Sequence, residues 1–203
     1  MAIKAPIEER WRTVQFLDLV RSNRSIRRFK EEEQLDRETL KELVDLARQA
    51  GSSMNLQPLK YLLSFTPETN ARIFPLVKWA GYLKDWSGPA EGERPAAYII
   101  IFGDRTLGDA FSHDTGIAAQ TILLGAVENG FNGCMLGSFT HEEVREALDV
   151  PEHLETQLII ALGVPAEKSV LEEVGETGSI RYWRDEKGVL HVPKRPLEEL
   201  ILS

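Results

Sequence analysis

The run Ala-Ala-Tyr-Ile-Ile-Ile-Phe at 96–102, closed by Pro95 before it and Gly103-Asp104 after it, constrains the fold more than any other stretch. A continuous apolar run bounded in this way suits a central strand buried on both faces, expected here at 98–102. It is far too short to span a membrane. Both faces of such a strand need covers, and the strongest candidate is the segment 115–127. It has helical length and is apolar on nearly every side, through Ile117, Ala118, Ala119, Ile122, Leu123, Leu124, Ala126 and Val127. A helix of that kind is buried in a core or in a subunit interface, and Gly130 is placed to cap its C-terminus.

Other elements follow from periodicity and punctuation. A first helix is expected over 6–21, with Trp11, Val14, Leu17 and Val20 at helical spacing. A polar, arginine-rich turn at 22–30 separates it from a second helix. That helix is capped by Asp36 and carries Leu40, Leu43, Val44 and Ala47 on one face. A strand is expected at 59–65, and Thr66-Pro67-Glu68 opens a short helix with proline at its first position. Further strands are expected at 131–136 and 157–162. Between them Thr140-His141-Glu142-Glu143 reads as a capping box, and Pro165 closes the regular part. The tail at 180–192 reads as a hairpin around Asp185-Glu186-Lys187-Gly188. The segment 78–95, with Trp79, Tyr82 and Trp86 among glycines, prolines and charges, has no clean period and reads as an excursion or lid. Regular βαβ alternation is absent, so the expected class is α+β with helices packed on a small sheet. At 203 residues, with no linker or repeat, the chain is read as one domain.

A net charge of −8 argues against nucleic-acid and anionic-membrane partners, so any anion has to be held by a local cluster of base. The N-terminus has no apolar core of a secretory signal, and a cytoplasmic protein is expected. Cys134 stands alone, which rules out an internal disulfide and reads as a buried strand residue. His113, His141, His153 and His191 are scattered, with no metal-ligand spacing.

Four clusters carry possible chemistry. Asn23-Arg24-Ser25-Ile26-Arg27-Arg28-Phe29 offers guanidinium and hydroxyl groups suited to a phosphate, although Glu31-Glu32-Glu33 follows and a solvated basic turn is the alternative. Gly51-Ser52-Ser53-Met54-Asn55-Leu56-Gln57-Pro58 offers amides suited to the edge of a planar heterocycle, or else an ordinary helix-ending loop. Gly133-Cys134-Met135-Leu136-Gly137-Ser138-Phe139 permits close backbone approach at a strand end, where an ordinary strand-to-helix turn would look the same. Lys194-Arg195 is, in isolation, surface charge.

In this order and at these separations the four clusters resemble the nitroreductase family of FMN flavoproteins along nearly the whole chain. The family's R-x-S-[IV]-R-x-[FY] start is met by Ser25, Ile26, Arg27 and Phe29, and its P-S-S-x-N-x-Q-P-W turn by Ser52, Ser53, Asn55, Gln57 and Pro58. Its glycine-containing strand end is met at 135–139, and its late K-x-R by Lys194 and Arg195. Asn23, Gly51 and Leu59 depart from the pattern: a basic residue, a proline and a tryptophan are usual there.

The resemblance implies a small mixed or antiparallel sheet flanked by helices, in a domain-entwined homodimer that binds FMN. It implies that Arg24, Ser25, Lys194 and Arg195 hold the phosphate and ribityl chain. Arg27 would face the pyrimidine edge of the flavin, and Ser52, Ser53, Asn55 and Gln57 would reach the flavin of the partner subunit. Met135 and Leu136 lead to Gly137 and Ser138, whose backbone would donate to flavin N5. The implied activity is transfer of hydride from NAD(P)H to a small acceptor such as a nitroaromatic or quinone. Dehalogenation, flavin breakdown or simple FMN storage on the same scaffold remain open. No G-x-G-x-x-G follows a strand, so no dedicated dinucleotide domain is expected.

Overall fold

The computed structural model describes residues 15–202. The apolar run becomes the body of β2 (Ala97–Asp104), buried along its whole length. It pairs antiparallel with β1 (Leu59–Ser64) on one side and with β4 (Leu154–Gly163) on the other. β3 (Asn132–Leu136) adds to β4, giving a four-stranded antiparallel sheet of order β1-β2-β4-β3. The central register sets Ile99 opposite Ile160 and Ile100 opposite Ile159, then slips past Ile101, where Gln157 has no partner across the ladder.

Strand alternation sends the central residues into two cores. Ile99, Ile101, Ile160 and Leu162 face α2 (Arg37–Gln49) and α4 (Ser112–Glu128), meeting Leu40, Leu43, Ala119 and Ile122. Tyr98, Ile100, Ile159 and Ala161 face the other way, toward Ile73 of α3 (Pro67–Ile73), Val144 of α5 (His141–Leu148), and Phe29 and Trp79. Each fully buried isoleucine contributes on the order of 1.5–3 kcal/mol, and this concentration of them makes the sheet the organising element of an α+β fold.

The helix punctuation follows local chemistry. The Asp36 carboxylate accepts from Thr39 N at 2.8 Å at the start of α2. Thr66 and Thr69 form a reciprocal capping box on α3, with Pro67 in its first turn. Gly130, at φ +82°, takes the left-handed position after α4, and Phe131 N returns to Ala126 O. Thr140 does precede α5, but its side chain makes no capping bond, so the expected box is not formed.

Other departures bear on the site. α1 (Phe16–Ser22) is the described part of the first expected helix; 6–14 lies outside the described residues. The arginine-rich segment is not a solvated turn. It runs extended, with Ser25 bridged to Gly133 and Phe29 to Pro165, and it buries Ile26 and Phe29 completely or nearly so. Pro165 does not end the regular structure. β5 (Ser169–Glu173), β6 (Trp183–Arg184) and β7 (Leu190–Lys194) form a second, mixed sheet. β6 and β7 are the expected hairpin, turned by Gly188 at φ +78°, while β5 joins β7 in parallel. The excursion at 78–95 packs its tryptophans: Trp79 lies in the core, and the guanidinium groups of Arg28 and Arg184 lie 5.9 and 4.9 Å from the centre of the Trp86 ring. Among the described residues, no helix is long and apolar enough to cross a membrane.

Candidate functional site

A cavity of about 330 Å³ opens where the extended segment, the edge strand β3 and the second sheet meet. Arg24, Ser25 and Arg27 line it from the extended segment, Gly133 and Met135 from β3, and Lys194 from β7. Three of the four sequence clusters are thus brought together, the first of them more than a hundred residues along the chain from the other two. Gly133 is what lets them approach. A Cβ there would lie 2.2 Å from the Ala161 carbonyl oxygen, while Ile26 N donates to Gly133 O at 3.0 Å. Only glycine lets β3 be flanked this closely on both sides.

The lining contains three cations and no carboxylate, in a chain whose net charge is −8. Arg24 donates only to carbonyls, to Val20 O at 2.8 Å and Asn23 O at 2.5 Å, and partial burial lowers its pKa from the ordinary value. The Arg27 side chain reaches Ser25 O at a long 3.4 Å and lies over the Tyr182 ring at 5.1 Å. None of Arg24, Arg27 and Lys194 has a carboxylate partner for its side chain among the described residues. Two buried polar atoms of residues lining the cavity, Arg27 Nε and Ser169 Oγ, have no hydrogen-bond partner among the described residues. Unpartnered buried donors cost stability unless something else accepts from them. A polyanionic, hydroxyl-rich ligand answers both the charge and the orphaned donors, so the residues fit a nucleotide-like phosphate group.

The segment is held rigidly from behind. Glu167, with a side chain only 2% exposed, accepts from Arg27 N at 2.6 Å and from Arg184 Nη2 at 2.6 Å. Phe29 N donates to Glu93 O and Ala166 N to Arg28 O, tying the segment to the excursion and to the loop before β5. At the end of β3, Gly137 and Ser138 are exposed, and Ser138 O accepts from Lys78 N at 2.9 Å.

The remaining site candidates fall elsewhere. Leu136 points into the core on the opposite face of the sheet from Met135. Arg195 is exposed and pairs with Glu199 at 3.2 Å, outside the cavity lining. Ser52, Asn55 and Gln57 line a different, smaller cavity of about 90 Å³ beside the start of α4. There Ser52 Oγ donates to Asp114 Oδ2 at 2.5 Å and Ser53 N to Asp114 Oδ1 at 3.0 Å. Within one chain the two polar clusters therefore do not form one site.

Four participants were not singled out from the sequence: Gln120, Ser169 and Tyr182 in the cavity lining, and Asp114 beneath the turn. Asp114 gave one usable signal, a carboxylate at the start of an otherwise apolar helix. Gln120 gave a similar one, a lone amide inside that helix.

A charged cradle on the edge of an antiparallel sheet, flanked by helices, defines an α+β protein with a candidate site for an anionic ligand. The nitroreductase family model matches residues 20–164, and the chain belongs to that family. It is 23% identical over 177 residues to YodC of Bacillus subtilis, whose name carries a provisional NAD(P)H nitroreductase assignment; the match covers 72% of this chain and 88% of YodC. The fold is shared with an FMN-dependent nitroreductase from Clostridium difficile R20291, at a TM-score of 0.62 and 23% identity, over 75% of this chain and 89% of that one. A nitroreductase family protein from Streptococcus pneumoniae TIGR4 aligns at a TM-score of 0.66 and 18% identity, covering 93% of this chain and 100% of its own.

Proposed function

We propose that the protein is a homodimeric, FMN-dependent oxidoreductase that accepts hydride from NAD(P)H and passes it to a small acceptor of the nitroaromatic or quinone type. The observation that carries the reading is the acid-free cavity with its three unpaired cations and two orphaned buried donors. The names of the relatives agree with it, since one is an FMN-dependent nitroreductase and another carries a provisional NAD(P)H nitroreductase assignment. When bound, the flavin supplies the redox chemistry itself, so no nucleophilic side chain or metal is required of the protein.

The chain's own residues bind and orient. Arg24 and Lys194 hold the phosphate by charge-assisted bonds, with Ser25 as a neutral donor. Arg27, stacked on Tyr182, supplies positive charge toward the pyrimidine edge. The backbone N–H groups at Gly137 and Ser138, past the last paired residue of β3, are the donors for N5. Arg195 is the outermost contributor on the ribityl and phosphate side.

The homodimer is supported by apolar surface that one chain leaves exposed. Phe16, Leu17 and Val20 on α1, Ile117 on α4, and Leu197, Leu200, Ile201 and Leu202 at the C-terminal end are all exposed. Surface of this kind marks an interaction site, and an isologous interface covers it on both subunits at once. The Ser52–Gln57 turn then serves the partner's cofactor. This explains why it lies apart from the cavity of its own chain.

The test is FMN titration of the purified protein followed by flavin fluorescence. Arg24→Ala should weaken binding roughly ten- to a hundred-fold, the equivalent of about 1.5–3 kcal/mol for a hydrogen bond to a charged group. Unchanged affinity removes Arg24 from the site, and absence of FMN binding by the unaltered protein overturns the reading as a whole. Stopped-flow mixing with NADH and NADPH separates an oxidoreductase from a protein that only stores FMN.

A further inference from the structure

The turn between α2 and β1 is the most strained backbone in the described chain. Met54, Asn55 and Gln57 have φ of +50°, +57° and +50°, three left-handed residues within four positions and none of them glycine. Asparagine tolerates this region; methionine and glutamine do not favour it. Gln57 also precedes Pro58, which disfavours helical backbone at the residue before it. Such strain persists only where surrounding structure over-determines it. The turn itself offers little, since Met54, Asn55, Leu56 and Gln57 are all exposed.

What holds it lies beneath. Asp114, in the first turn of α4, is 4% exposed. Its two carboxylate oxygens take Ser52 Oγ at 2.5 Å and Ser53 N at 3.0 Å, and the same Ser52 Oγ accepts from Gln57 N at 2.9 Å. One buried carboxylate therefore fixes both ends of the strained segment. Asp114 has no cationic partner within ion-pair distance among the described residues, so its two oxygens are free to accept from the turn. Its influence reaches Tyr61 in the same small cavity, whose hydroxyl pKa is pushed up to about 12 by burial first and by Asp114 second.

We propose that Asp114 is a positioning residue, holding the Ser52–Gln57 turn in its left-handed form so that the exposed Asn55 and Gln57 amides, joined by a hydrogen bond from Gln57 Nε2 to Asn55 Oδ1 at 3.2 Å, are presented to the cofactor of a second copy. The step to the cofactor rests on the function proposed above; the step from Asp114 to the turn does not. A buried carboxyl group is a costly way to close a loop, and without its two acceptor oxygens the loop would relax to unstrained backbone and withdraw the amides.

The test uses the full chain carrying Asp114→Ala and, because that variant leaves the Ser52 hydroxyl and Ser53 N–H without their acceptor, the near-isosteric Asp114→Asn. Hydrogen exchange at Ser53 and Gln57 N–H reads the turn directly. FMN titration reads the consequence, with affinity referred to the folded fraction. Asp114→Ala should speed exchange at both amides about tenfold or more while the later turns of α4 stay protected, and it should weaken FMN binding by a similar factor. Asp114→Asn should recover part of both, since one carbonyl oxygen remains to accept. Unchanged exchange at Ser53 and Gln57 overturns the positioning role. Faster exchange with unchanged FMN affinity overturns the link to the cofactor. Failure of the unaltered protein to bind FMN counts against the proposed function, and the exchange result still decides whether Asp114 holds the turn.

Discussion

The four-stranded sheet and the three-stranded sheet meet at the same cavity but are held in different ways. In the first, β2 and β4 are buried on both faces, and Ile99, Ile100, Ile101, Ile159 and Ile160 have no exposed surface. In the second, Leu190 is the only buried residue among its strands. The second sheet is joined instead by polar and aromatic contacts: Trp183 stacks on His191 at 4.1 Å, its Nε1 donates to Glu172, and Arg184 pairs with the buried Glu167. Apolar burial is non-directional and sums over many contacts, whereas each polar contact here has few substitutes. The cavity takes one wall from each region, Leu123, Gly133 and Met135 from the first and Ser169, Tyr182, Val192 and Lys194 from the second. A ligand that bridges them adds most to the second, because binding stabilises whatever it selectively orders.

The largest effect should come from the first region. Ile101→Ala opens a cavity between β2 and the α2–α4 layer and should lower unfolding free energy by about 2–5 kcal/mol, measured by denaturant titration. Exchange protection should fall throughout both sheets together. A loss confined to the four-stranded sheet would break the picture of one domain with one cooperative core.

Trp86→Ala should have a smaller effect, and one divided unequally. The ring is half-buried and touches the second core, but it also lies within cation–π distance of Arg28 and Arg184, which carry the extended segment and β6. Partial burial and cation–π contact together suggest about 1–2 kcal/mol, with exchange rising first in β6 and β7. A lid role for this ring instead gives altered KM or acceptor range with unchanged protection. Tyr82 is exposed and lies 5.0 Å from the ring of Tyr182, which lines the cavity.

The same contrast explains what could be read from the residues alone. β2, α2 and α4 were legible because continuous or periodic apolar residues state both the element and the face it buries. The hairpin at 183–194 was legible through Gly188, but β5 was not: Ser169-Val170-Leu171-Glu172-Glu173 has weak alternation, and its parallel pairing with β7 is settled by contacts distant in sequence. At the site, Arg24 and Arg27 stand out as clustered base in an acidic chain, but by themselves they read equally as a solvated turn and Lys194 as surface charge; the family resemblance, not a local pattern, joins them with Ser25 into one site. The extended form of 23–30 was not legible, because its arginines mask the burial of Ile26 and Phe29. Asp114 and Glu167 act by accepting from backbone N–H groups, which every residue carries, so no local pattern marks the segments they hold.

The finest probe of the comparison is pH. His191 lies between Glu172 of β5, whose Oε2 is 3.0 Å from Nδ1, and Asp185 of the hairpin turn, whose Oδ2 is 3.4 Å from Nε2, with the Trp183 ring stacked on its face. Only the protonated ring donates at both nitrogens, so the hydrogen bond to Glu172, and then that to Asp185, raise its pKa above the ordinary value. The carboxyls move down: Glu172 through the Trp183 indole and then His191, Asp185 through Val189 N and other donors. A raised imidazole pKa stabilises the fold fully below the unfolded value of about 6.5 and ceases to do so as pH rises through the folded value. Lowered carboxyl pKa values stabilise above their unfolded range near 4 and lose that contribution as pH falls through the folded values. Protection of β6 and β7 amides, corrected for intrinsic exchange, should therefore be greatest between roughly pH 5 and 6.5 and decline on either side, while the four-stranded sheet stays flat over the same span. His191→Gln should remove the upper limb and weaken the lower one, which keeps the Trp183 indole on Glu172 and Val189 N on Asp185. An NMR titration placing the His191 pKa at or below about 6.5 would show that the carboxylates do not hold its proton and that the second sheet is not joined through this ring.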